Sequence, residues 1–417
     1  MPYRFIDFLI EMTDPQNLAR FKENPDAAMN AAGLSAVEKA AVMSGKSGWI
    51  RLLGKREIEK DNGTESLQDG LSANEHIGQS DIERDDVPQQ LDVTQELDVT
   101  QELDVTQELD VTQELDVTQF LDIQFLDGTR SVVPEMEMIQ SVDETEASPR
   151  TMKKTGSLVI VGTGIKGVAH MTMETRVWIE QADKVLYCVG DVSTERWIKK
   201  LNAKAESLYV FYGDDKLRMQ SYNQMVDRIL ECVREGLNVC AAFYGHPGVF
   251  VYPSHESIRR ARLEGYAATL LPDISSDACL FADLGIDPSR TGCLSLEATD
   301  YLVRRRKLDP TVAVILWQGG CVGDVGFKST GFDGRNIPVL AEALQEQYGQ
   351  DYEVIIYEAP QYAVCNPGIR RVALSQLTEA RLTGISTLYI PPKEKPGLDQ
   401  EMMKRLGLIP RPKPKKT

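Results

Sequence analysis

The chain has 417 residues, of which 42% are hydrophobic and 26% are charged, and its formal net charge is −17. It is too long for one ordinary domain, and none of its apolar runs reaches the roughly 18 residues that would cross a bilayer. The short apolar runs, and the acidic residues at the start where a signal peptide would be basic, predict a soluble, cytoplasmic protein without a membrane partner. Sixteen acidic and two basic residues between Leu91 and Arg150 account for most of the charge, and the near-neutral remainder argues against a nucleic-acid partner.

The first 53 residues predict a small bundle of short helices. Apolar residues recur at helical spacing, and the Asp14-Pro15 and Asn24-Pro25 pairs are typical of breaks between helices. About fifty residues bury too little surface to be stable alone, so the bundle should pack on another part of the chain. Residues 54–154 are predicted to form an acidic, flexible linker.

This linker contains a hexapeptide repeat. Four identical copies of LDVTQE run from Leu91 to Glu114, followed by a fifth copy ending in Phe120 and a degraded copy ending in Phe125. A six-residue period fits no helical stripe, whereas an even period suits an extended chain. Taken alone, the repeat is typical of a low-complexity spacer.

From Gly156 onward, apolar strands alternate with amphipathic helices, which predicts an α/β architecture with a largely parallel sheet in its first half. Ligands of such sheets bind beyond the carboxyl ends of the strands. The predicted strands are SLVIVG, KVLYCVG, LNVCAAFYG, AATLLP, VAVILWQG, YEVIIYEA and STLYIPP, with helices at 221–235 and 255–264.

All seven cysteines lie in this part of the chain and none forms a C-x-x-C pair, which indicates buried free thiols. No histidine is spaced with a second ligand as zinc sites require, so no metal is predicted.

The first predicted strand runs into a glycine-rich turn, Gly162-Thr163-Gly164-Ile165-Lys166-Gly167, which matches G-x-G-x-x-G. Glycines let the backbone turn tightly and approach a ligand closely. One interpretation is a nicotinamide dinucleotide site, with Asp191 after the second strand as the ribose ligand. The motif fits several nucleotide-like cofactors, however, and no later segment resembles a hydride-transfer site.

Two further strand-end segments point to one cofactor class: FYGHPGVF at 243–250 and LPDISS at 271–276. With GTG at 162–164 and HMT at 170–172, their order resembles the tetrapyrrole-methylase class of S-adenosylmethionine enzymes, which bind a folded cofactor between two α/β halves. A closer resemblance, over nearly all of 156–392, is to the borosin peptide α-N-methyltransferases. The matching segments are GSLVIVGTGI, KVLYCV, LYVFYGDDKLRMQSYNQM, FYGHPGVFV, CLFADLGIDPS, GCLSLEATDYL, GCVG, TGFD and GISTLYIPP.

The borosin resemblance implies a two-lobed, class III methyltransferase domain over 155–392, followed by a basic tail over 393–417. Tyr209, Tyr212, Arg218 and Tyr222 match the family's catalytic cluster. Tyr222, with Tyr212, would remove or relay the amide proton, while Arg218 would lower the phenol pKa and stabilise negative charge on the amide oxygen. At Asp273 the family more often has glycine. The cofactor contacts that the resemblance implies are Gly162, Gly164, Tyr244, His246, Val249, Ser275, Ser276, Gln318, Ser386 and Thr387.

Residues 5–50 also resemble the small helical domain that recruits the substrate peptide in borosin proteins. In the fungal proteins this domain follows the methyltransferase and precedes the substrate, whereas here it comes first, the repeats follow and the catalytic domain is last. The resemblance makes residues 91–127 the expected core peptide of a ribosomally made natural product, methylated in cis or across a homodimer. Candidate sites are Val93, Val99, Val105, Val111 and Val117.

Two alternatives remain at this stage. The enzyme would methylate a separate peptide in trans, with the repeats as a tether, or the chain would be a non-catalytic cofactor-binding assembly protein whose helical head and acidic repeats mediate interaction. A nicotinamide oxidoreductase is a more distant third.

Overall fold

The computed structural model describes residues 4–61, 155–328 and 331–408. The repeats, with the candidate sites Val93, Val99, Val105, Val111 and Val117, lie outside the described residues. No described helix has the length and apolarity that crossing a bilayer demands. The described α-helices are α1 (Arg4–Glu11), α2 (Pro15–Glu23), α3 (Pro25–Ala31), α4 (Ala36–Ser44), α5 (Ser47–Asp61), α6 (Met173–Gln181), α7 (Val192–Leu201), α8 (Arg218–Arg234), α9 (Tyr252–Leu263), α10 (Ser276–Leu284), α11 (Ala298–Val303), α12 (Ile337–Tyr348) and α13 (Gln400–Arg405). The strands are β1 (Ser157–Gly162), β2 (Lys184–Cys188), β3 (Glu206–Ser207), β4 (Asn238–Phe243), β5 (Ala267–Leu270), β6 (Cys293–Glu297), β7 (Ala313–Trp317), β8 (Glu353–Glu358), β9 (Gly368–Ala373) and β10 (Thr387–Ile390).

Helices α1 to α5 form the bundle at the N-terminus, and side-chain caps set their boundaries. The Asp14-Pro15 and Asn24-Pro25 pairs each place a capping side chain before a proline at the first helical position. Ser35 and Glu38 form a capping box at the start of α4. The breaks therefore occur where the sequence predicts them, while α5 continues to Asp61, past the predicted boundary at residue 53.

The bundle packs against the rest of the described chain, as its small size requires. Its core includes Phe5 and Ile50, which are fully buried, and this core also contains Tyr362 and Cys365 from the loop after β8. Asp7 of α1 accepts two hydrogen bonds from Arg196 of α7, at 2.7 and 2.9 Å. The bundle is therefore joined to two separate elements of the α/β region.

The first α/β lobe contains a parallel sheet with the order β3-β2-β4-β1-β5. Strands β1 and β4 pair in register from Ser157 to Gly162, and both are almost entirely buried. Apolar clusters cover both faces of this sheet, which explains why its strands read as continuous apolar runs. All five strands end at one edge, where the glycine-bounded turns begin.

The second lobe contains a mixed sheet with the order β6-β7-β10-β8-β9. Only the β6–β7 pair is parallel. One cluster connects the lobes, because Ile165 and Leu280 of the first lobe pack with Trp317 and Tyr357 of the second. Together with the helical bundle, these lobes confirm the predicted α/β fold class.

Candidate active site

Three strand-end turns of the first lobe meet at Gly162. A β-carbon placed on Gly162 would lie 2.3 Å from the Gly245 carbonyl oxygen and 2.4 Å from the Asp273 β-carbon. Asp273, where the family more often has glycine, is part of this packing: its carboxylate accepts hydrogen bonds from the Ile274 amide at 2.7 Å and the Thr175 hydroxyl at 3.4 Å. Gly162 is thus required for the turns to approach one another.

We expect Gly162→Ala to destabilise the fold by about 2 to 3 kcal/mol, because the clash is with backbone and with a β-carbon rather than with a flexible side chain. Gly190→Ala is the matched control, since a β-carbon there has no heavy atom within 4 Å. Urea unfolding of both variants measures the difference. A Gly162→Ala protein as stable as the control would contradict this packing.

The G-x-G-x-x-G turn is closed by protein atoms. The His170 Nδ1 accepts hydrogen bonds from the Ile165 and Lys166 amides at 3.3 and 3.2 Å, and a β-carbon on Gly164 would lie 2.2 Å from that of His170. A short 3₁₀ helix, Gly167–His170, directly follows the turn, and the α-helix α6 begins only at Met173, with its N-terminus capped by Thr172. A dinucleotide site instead presents an α-helix N-terminus to the pyrophosphate.

Asp191, the ribose ligand of the nicotinamide interpretation, has a different role. Its side chain is 4% exposed and caps α7, accepting hydrogen bonds from the Thr194 amide at 2.9 Å and from the Ser193 hydroxyl. A buried carboxylate that makes these hydrogen bonds is not available to bind ribose hydroxyls. The glycine turn and Asp191 together argue against a nicotinamide dinucleotide site.

Burial lowers the pKa of His170 from 6.5 to about 4, and Lys166 contributes in the same direction. The unfolded chain therefore binds a proton more readily than the folded one as the pH falls below 6.5. The stability that the folded protein gains from keeping His170 neutral is complete above pH 6.5 and is lost as the pH falls towards 4.

We expect the free energy of unfolding to fall between pH 7.5 and pH 5, and His170→Asn to reduce that fall by about 1 to 2 kcal/mol. Asparagine keeps an acceptor for the turn but does not titrate. Urea titrations at both pH values, on both proteins, isolate the histidine from other groups. An equal loss of unfolding free energy in the two proteins would show that His170 does not cause the fall.

The four predicted catalytic residues lie in one aromatic cluster with Phe327. The ring of Tyr212 lies 5.1 Å from that of Tyr209, 6.3 Å from that of Tyr222 and, in a stacked arrangement, 4.7 Å from that of Phe327. The structure therefore brings together side chains from the 3₁₀ helix Leu208–Phe211 and its end, from α8, and from the loop after β7.

Arg218 is the charged member of this group, and it is only 8% exposed. Its Nη2 donates to the carbonyl oxygens of Asp324 and Gly326 at 3.3 and 3.2 Å, and its backbone amide donates to the Val325 carbonyl at 2.9 Å. Because Arg218 begins α8, Tyr222 follows one turn later on the same face. Backbone carbonyls thus hold the guanidinium beside the phenols.

The acidity of the phenols differs from what the resemblance implies. Burial raises the pKa of Tyr222 above its ordinary value, although the Arg218 charge and a hydrogen bond with Tyr212 offset part of the rise. Burial and the neighbouring Tyr222 raise the pKa of Tyr212 well above its ordinary value. The Arg218 charge lowers the pKa of both phenols, which is the predicted direction, but burial has the larger effect and the pKa of each stays above its ordinary value.

The predicted cofactor contacts of the first lobe lie in the turns that follow β1, β4 and β5. The His246 Nδ1 accepts a hydrogen bond from the Gly248 amide at 2.9 Å, and the Val249 amide donates to the His246 carbonyl at 3.1 Å. Tyr244 packs with the cluster that joins the lobes. Ser275 precedes α10 without capping it. The group in these turns comprises Gly162, Gly164, Tyr244, His246, Val249, Ser275 and Ser276.

The remaining predicted contacts, Gln318, Ser386 and Thr387, belong to the second lobe. Gln318 has a left-handed backbone (φ 58°) and leads into the 3₁₀ helix Gly319–Cys321. Ser386 and Thr387 are 1% and 4% exposed, and the Ser386 hydroxyl is hydrogen-bonded to Glu358. As cofactor contacts, both groups of residues stay predictions.

The turn at Gln318 lies near the catalytic cluster, because the Cys321 amide donates to the Gln318 carbonyl at 3.0 Å and Arg218 donates to the carbonyl of Asp324, three residues after Cys321. Sequence reasoning missed Phe327, which stacks on Tyr212, and Cys188, which packs in one apolar cluster with Tyr212 and Tyr222. Phe327 belongs to no pattern or motif, and the KVLYCV segment that contains Cys188 assigns no role to its thiol.

Comparison with known proteins gives the family. Residues 157–360 match the tetrapyrrole (corrin/porphyrin) methylases. The methyltransferase/ribosomally synthesized type I borosin cyclic peptide precursor of Coprinopsis marcescibilis is 42% identical, over 61% of this chain and 68% of its own length. The corresponding dendrothelin A precursor of Dendrothele bispora and omphalotin A precursor of Omphalotus olearius are each 43% identical, over 62% of this chain. The chain spans 63% of the length of each of these two relatives. It belongs to the family of borosin methyltransferase and peptide-precursor fusions, with a tetrapyrrole-methylase catalytic domain.

Proposed function

We propose that this chain uses S-adenosylmethionine to methylate backbone amides of a peptide, and that its own LDVTQE repeat segment is that peptide. The names of the relatives support this, since each combines a methyltransferase with a cyclic peptide precursor in one chain. The observation that carries the proposal is the buried Arg218 held among three tyrosines by backbone carbonyls.

A secondary amide nitrogen is a poor nucleophile because its lone pair is delocalised into the carbonyl. Methylating it requires stabilisation of negative charge on the amide oxygen and removal of the N–H proton. The cofactor supplies an electrophilic methyl group on a sulfonium. The guanidinium of Arg218 has five N–H donors, of which Nη2 serves the two carbonyls, so others remain for the amide oxygen.

Tyr222 takes the N–H proton in this scheme, with Tyr212 as its hydrogen-bonded neighbour. A raised phenol pKa suits that role, because the conjugate phenolate is a stronger base towards a weakly acidic amide. Arg218 then has two effects: it partly offsets the effect of burial on Tyr222, and it makes the amide N–H more acidic by binding its oxygen.

The strand-end turns fit the cofactor in their donor chemistry. At the start of α10 the amides of Ser276 and Asp277 receive no side-chain cap from Ser275, whereas the Ala278 amide donates to the Asp277 carboxylate at 2.8 Å, so the first two N–H groups are the candidate donors there. A phenol and an imidazole, from Tyr244 and His246, follow β4. Such donors suit a carboxylate and ribose hydroxyls. The residues that would hold the cofactor are Tyr244, His246, Val249, Ser275 and Ser276 from the first lobe, and Gln318, Ser386 and Thr387 from the second, while Gly162 and Gly164 let the turns approach.

We also propose a role for each part of the chain. Residues 1–53 recruit the peptide, 54–154 form the linker with the core at 91–127, 155–392 catalyse the transfer, and 393–417 form a basic tail. We also propose a cytoplasmic homodimer, in which the peptide enters the site of its own chain or of its partner. The free state of all seven cysteines is compatible with a reducing compartment.

Mass spectrometry tests the proposal directly. The full chain is incubated with S-adenosylmethionine, its intact mass is followed, and tandem spectra of residues 91–130 locate the added groups. We expect successive increments of one CH₂ within the repeats, and Val99→Pro should remove one site because proline has no N–H. A chain that gains no mass, yet methylates an added LDVTQE peptide, would reject self-methylation and support the trans alternative. A chain that methylates neither would reject the enzymatic proposal.

A further inference from the structure

The backbone segment that binds Arg218 belongs to the loop after β7 in the second lobe. The Arg218 Nη2 donates to the carbonyl oxygens of Asp324 and Gly326 at 3.3 and 3.2 Å. Its backbone amide donates to the Val325 carbonyl at 2.9 Å, and the preceding residue, Leu217, forms an isolated antiparallel bridge with Gly326. Three consecutive residues of one loop therefore set both the backbone and the side chain of Arg218.

The carboxylate of Asp324 joins this loop to two cations. Its Oδ1 lies 3.1 Å from the Lys328 Nζ and 3.3 Å from the Arg335 Nη2. The Asp324 side chain is only 9% exposed, whereas that of Arg335 is 61% exposed. A carboxylate that is so far removed from water is screened little by solvent, so its loss costs more than the loss of a surface charge. Asp324 thus binds two cations with its side chain and Arg218 with its backbone carbonyl.

We infer that Asp324 is a positioning residue for Arg218, because its paired carboxylate fixes the backbone whose carbonyl oxygens orient the guanidinium. This inference rests on the proposed function, since it treats Arg218 as the group that binds the amide oxygen of the peptide. It assigns an ion-pair network of the second lobe to the positioning of a catalytic residue in the first.

The ring of Phe332 gives the carboxylate a second effect on Arg218. The centroid of this ring is 6.0 Å from the Arg218 Cζ and 6.0 Å from the Lys328 Nζ. Two cations beside one ring repel each other, and the carboxylate of Asp324 opposes that repulsion because it is paired with Lys328. Without this carboxylate the charge of Lys328 would be neutralised less fully, and the guanidinium would be repelled from its place.

The loop is attached to the second lobe by contacts that do not involve the carboxylate. The Asn336 Nδ2 donates to the Val322 carbonyl at 2.7 Å, and the Gly323 amide donates to the Thr299 hydroxyl at 3.0 Å. Removing the charge of Asp324 therefore leaves these attachments in place. Its expected effect is on the orientation of the peptide groups that bind Arg218 rather than on the fold of the lobe.

Single-turnover methylation by the full chain, followed by intact mass, tests the inference. Asp324→Asn keeps the size of the side chain but removes its charge, and we expect it to lower the rate roughly tenfold. Calorimetric titration with S-adenosylhomocysteine should give the wild-type affinity. In an Arg218→Ala background Asp324→Asn should have no further effect on the rate, because a residue that acts through Arg218 then has no group to position. Equal fold-losses in the two backgrounds would overturn the inference.

Asp333→Asn is the matched control. Asp333 lies near the same two cations, 3.7 Å from the Lys328 Nζ and 3.5 Å from the Arg335 Nε, but its side chain is 54% exposed. Asparagine retains an acceptor for the Arg335 amide, which donates to Asp333 at 3.1 Å. Because exposed ion pairs contribute little, this variant should methylate as the wild type does. Asp324→Asn methylating at the rate of Asp333→Asn would contradict a positioning role.

Hydrogen exchange of the Arg218 amide gives a readout that does not depend on catalysis. Since this amide donates to the Val325 carbonyl, Asp324→Asn should speed its exchange roughly tenfold, and Asp333→Asn should not. If Asp324→Asn fails to fold, Arg335→Gln decides the question, because it removes one of the two cations from an exposed position. Wild-type exchange in the variant that folds overturns the inference. A wild type that adds no methyl group rejects the proposed function alone, since the exchange experiment still measures the positioning.

Discussion

Replacing Arg218 by alanine should lower the rate of methyl incorporation by roughly 10² to 10³-fold, the range found when one preorganised oxyanion donor is removed. The guanidinium lies beside Tyr212 and Tyr222 with its position fixed, because it is 8% exposed and bound to two carbonyls. Intact-mass measurement over a single turnover gives the rate. Thermal unfolding shows how far loss of those carbonyl contacts loosens the loop after β7.

Arg218→Lys and Arg228→Ala complete this experiment. Lysine keeps the charge but lacks the planar guanidinium, so the Arg218→Lys variant should methylate at least tenfold more slowly than the wild type. Arg228 lies on the same helix and pairs with Glu206 at 2.9 Å, outside the aromatic cluster, and its loss should leave the rate unchanged. Methylation by Arg218→Ala at the rate of Arg228→Ala would remove Arg218 from the mechanism.

Tyr222→Phe should lower the rate by roughly 10² to 10⁴-fold, as expected for loss of a general base. The change removes only the hydroxyl, so the ring contacts with Tyr212 at 6.3 Å and Tyr252 at 6.2 Å are preserved. Tyr348→Phe is the matched control, because its hydroxyl is buried without a hydrogen-bond partner in the described part of the chain. Its rate should equal that of the wild type.

The pH dependence distinguishes a base from a structural hydroxyl. Because burial raises the pKa of Tyr222 above its ordinary value, the phenolate is a minor species near neutral pH and its population grows as the pH rises. The wild-type rate should therefore increase from pH 7 to pH 9, and Tyr222→Phe should lose this increase. A wild-type profile that is flat over this range would argue against Tyr222 as the base.

The sequence predicts those features of the fold that depend on local patterns. Continuous apolar runs mark β1 and β4 because both faces of their sheet are covered, and proline after a capping residue marks the starts of α2 and α3. Strand β9 is missed because it is an exposed edge with Arg370 and Arg371. Helix α13 lies in the tail and has no buried residue to produce an apolar stripe.

The site is predicted less completely, because its chemistry depends on contacts between distant parts of the chain. The spacing of Arg218 and Tyr222 shows in the sequence, since both lie on one helix. Phe327 comes from a loop more than a hundred residues later, and no local pattern indicates where it packs. The net rise of the phenol pKa values is not predicted for the same reason: it depends on burial, which the sequence does not reveal.

The attachment of the N-terminal bundle has a consequence for how a product would leave. Helix α5 ends at Asp61, and the described chain begins again at Thr155 with the catalytic domain. The bundle and this domain belong to one compact unit, joined by the core that includes Tyr362 and Cys365. Residues 62–154 are therefore attached to that unit at both ends. If the repeats are the substrate, as proposed, two proteolytic cuts, one on each side of them, are needed to release the product.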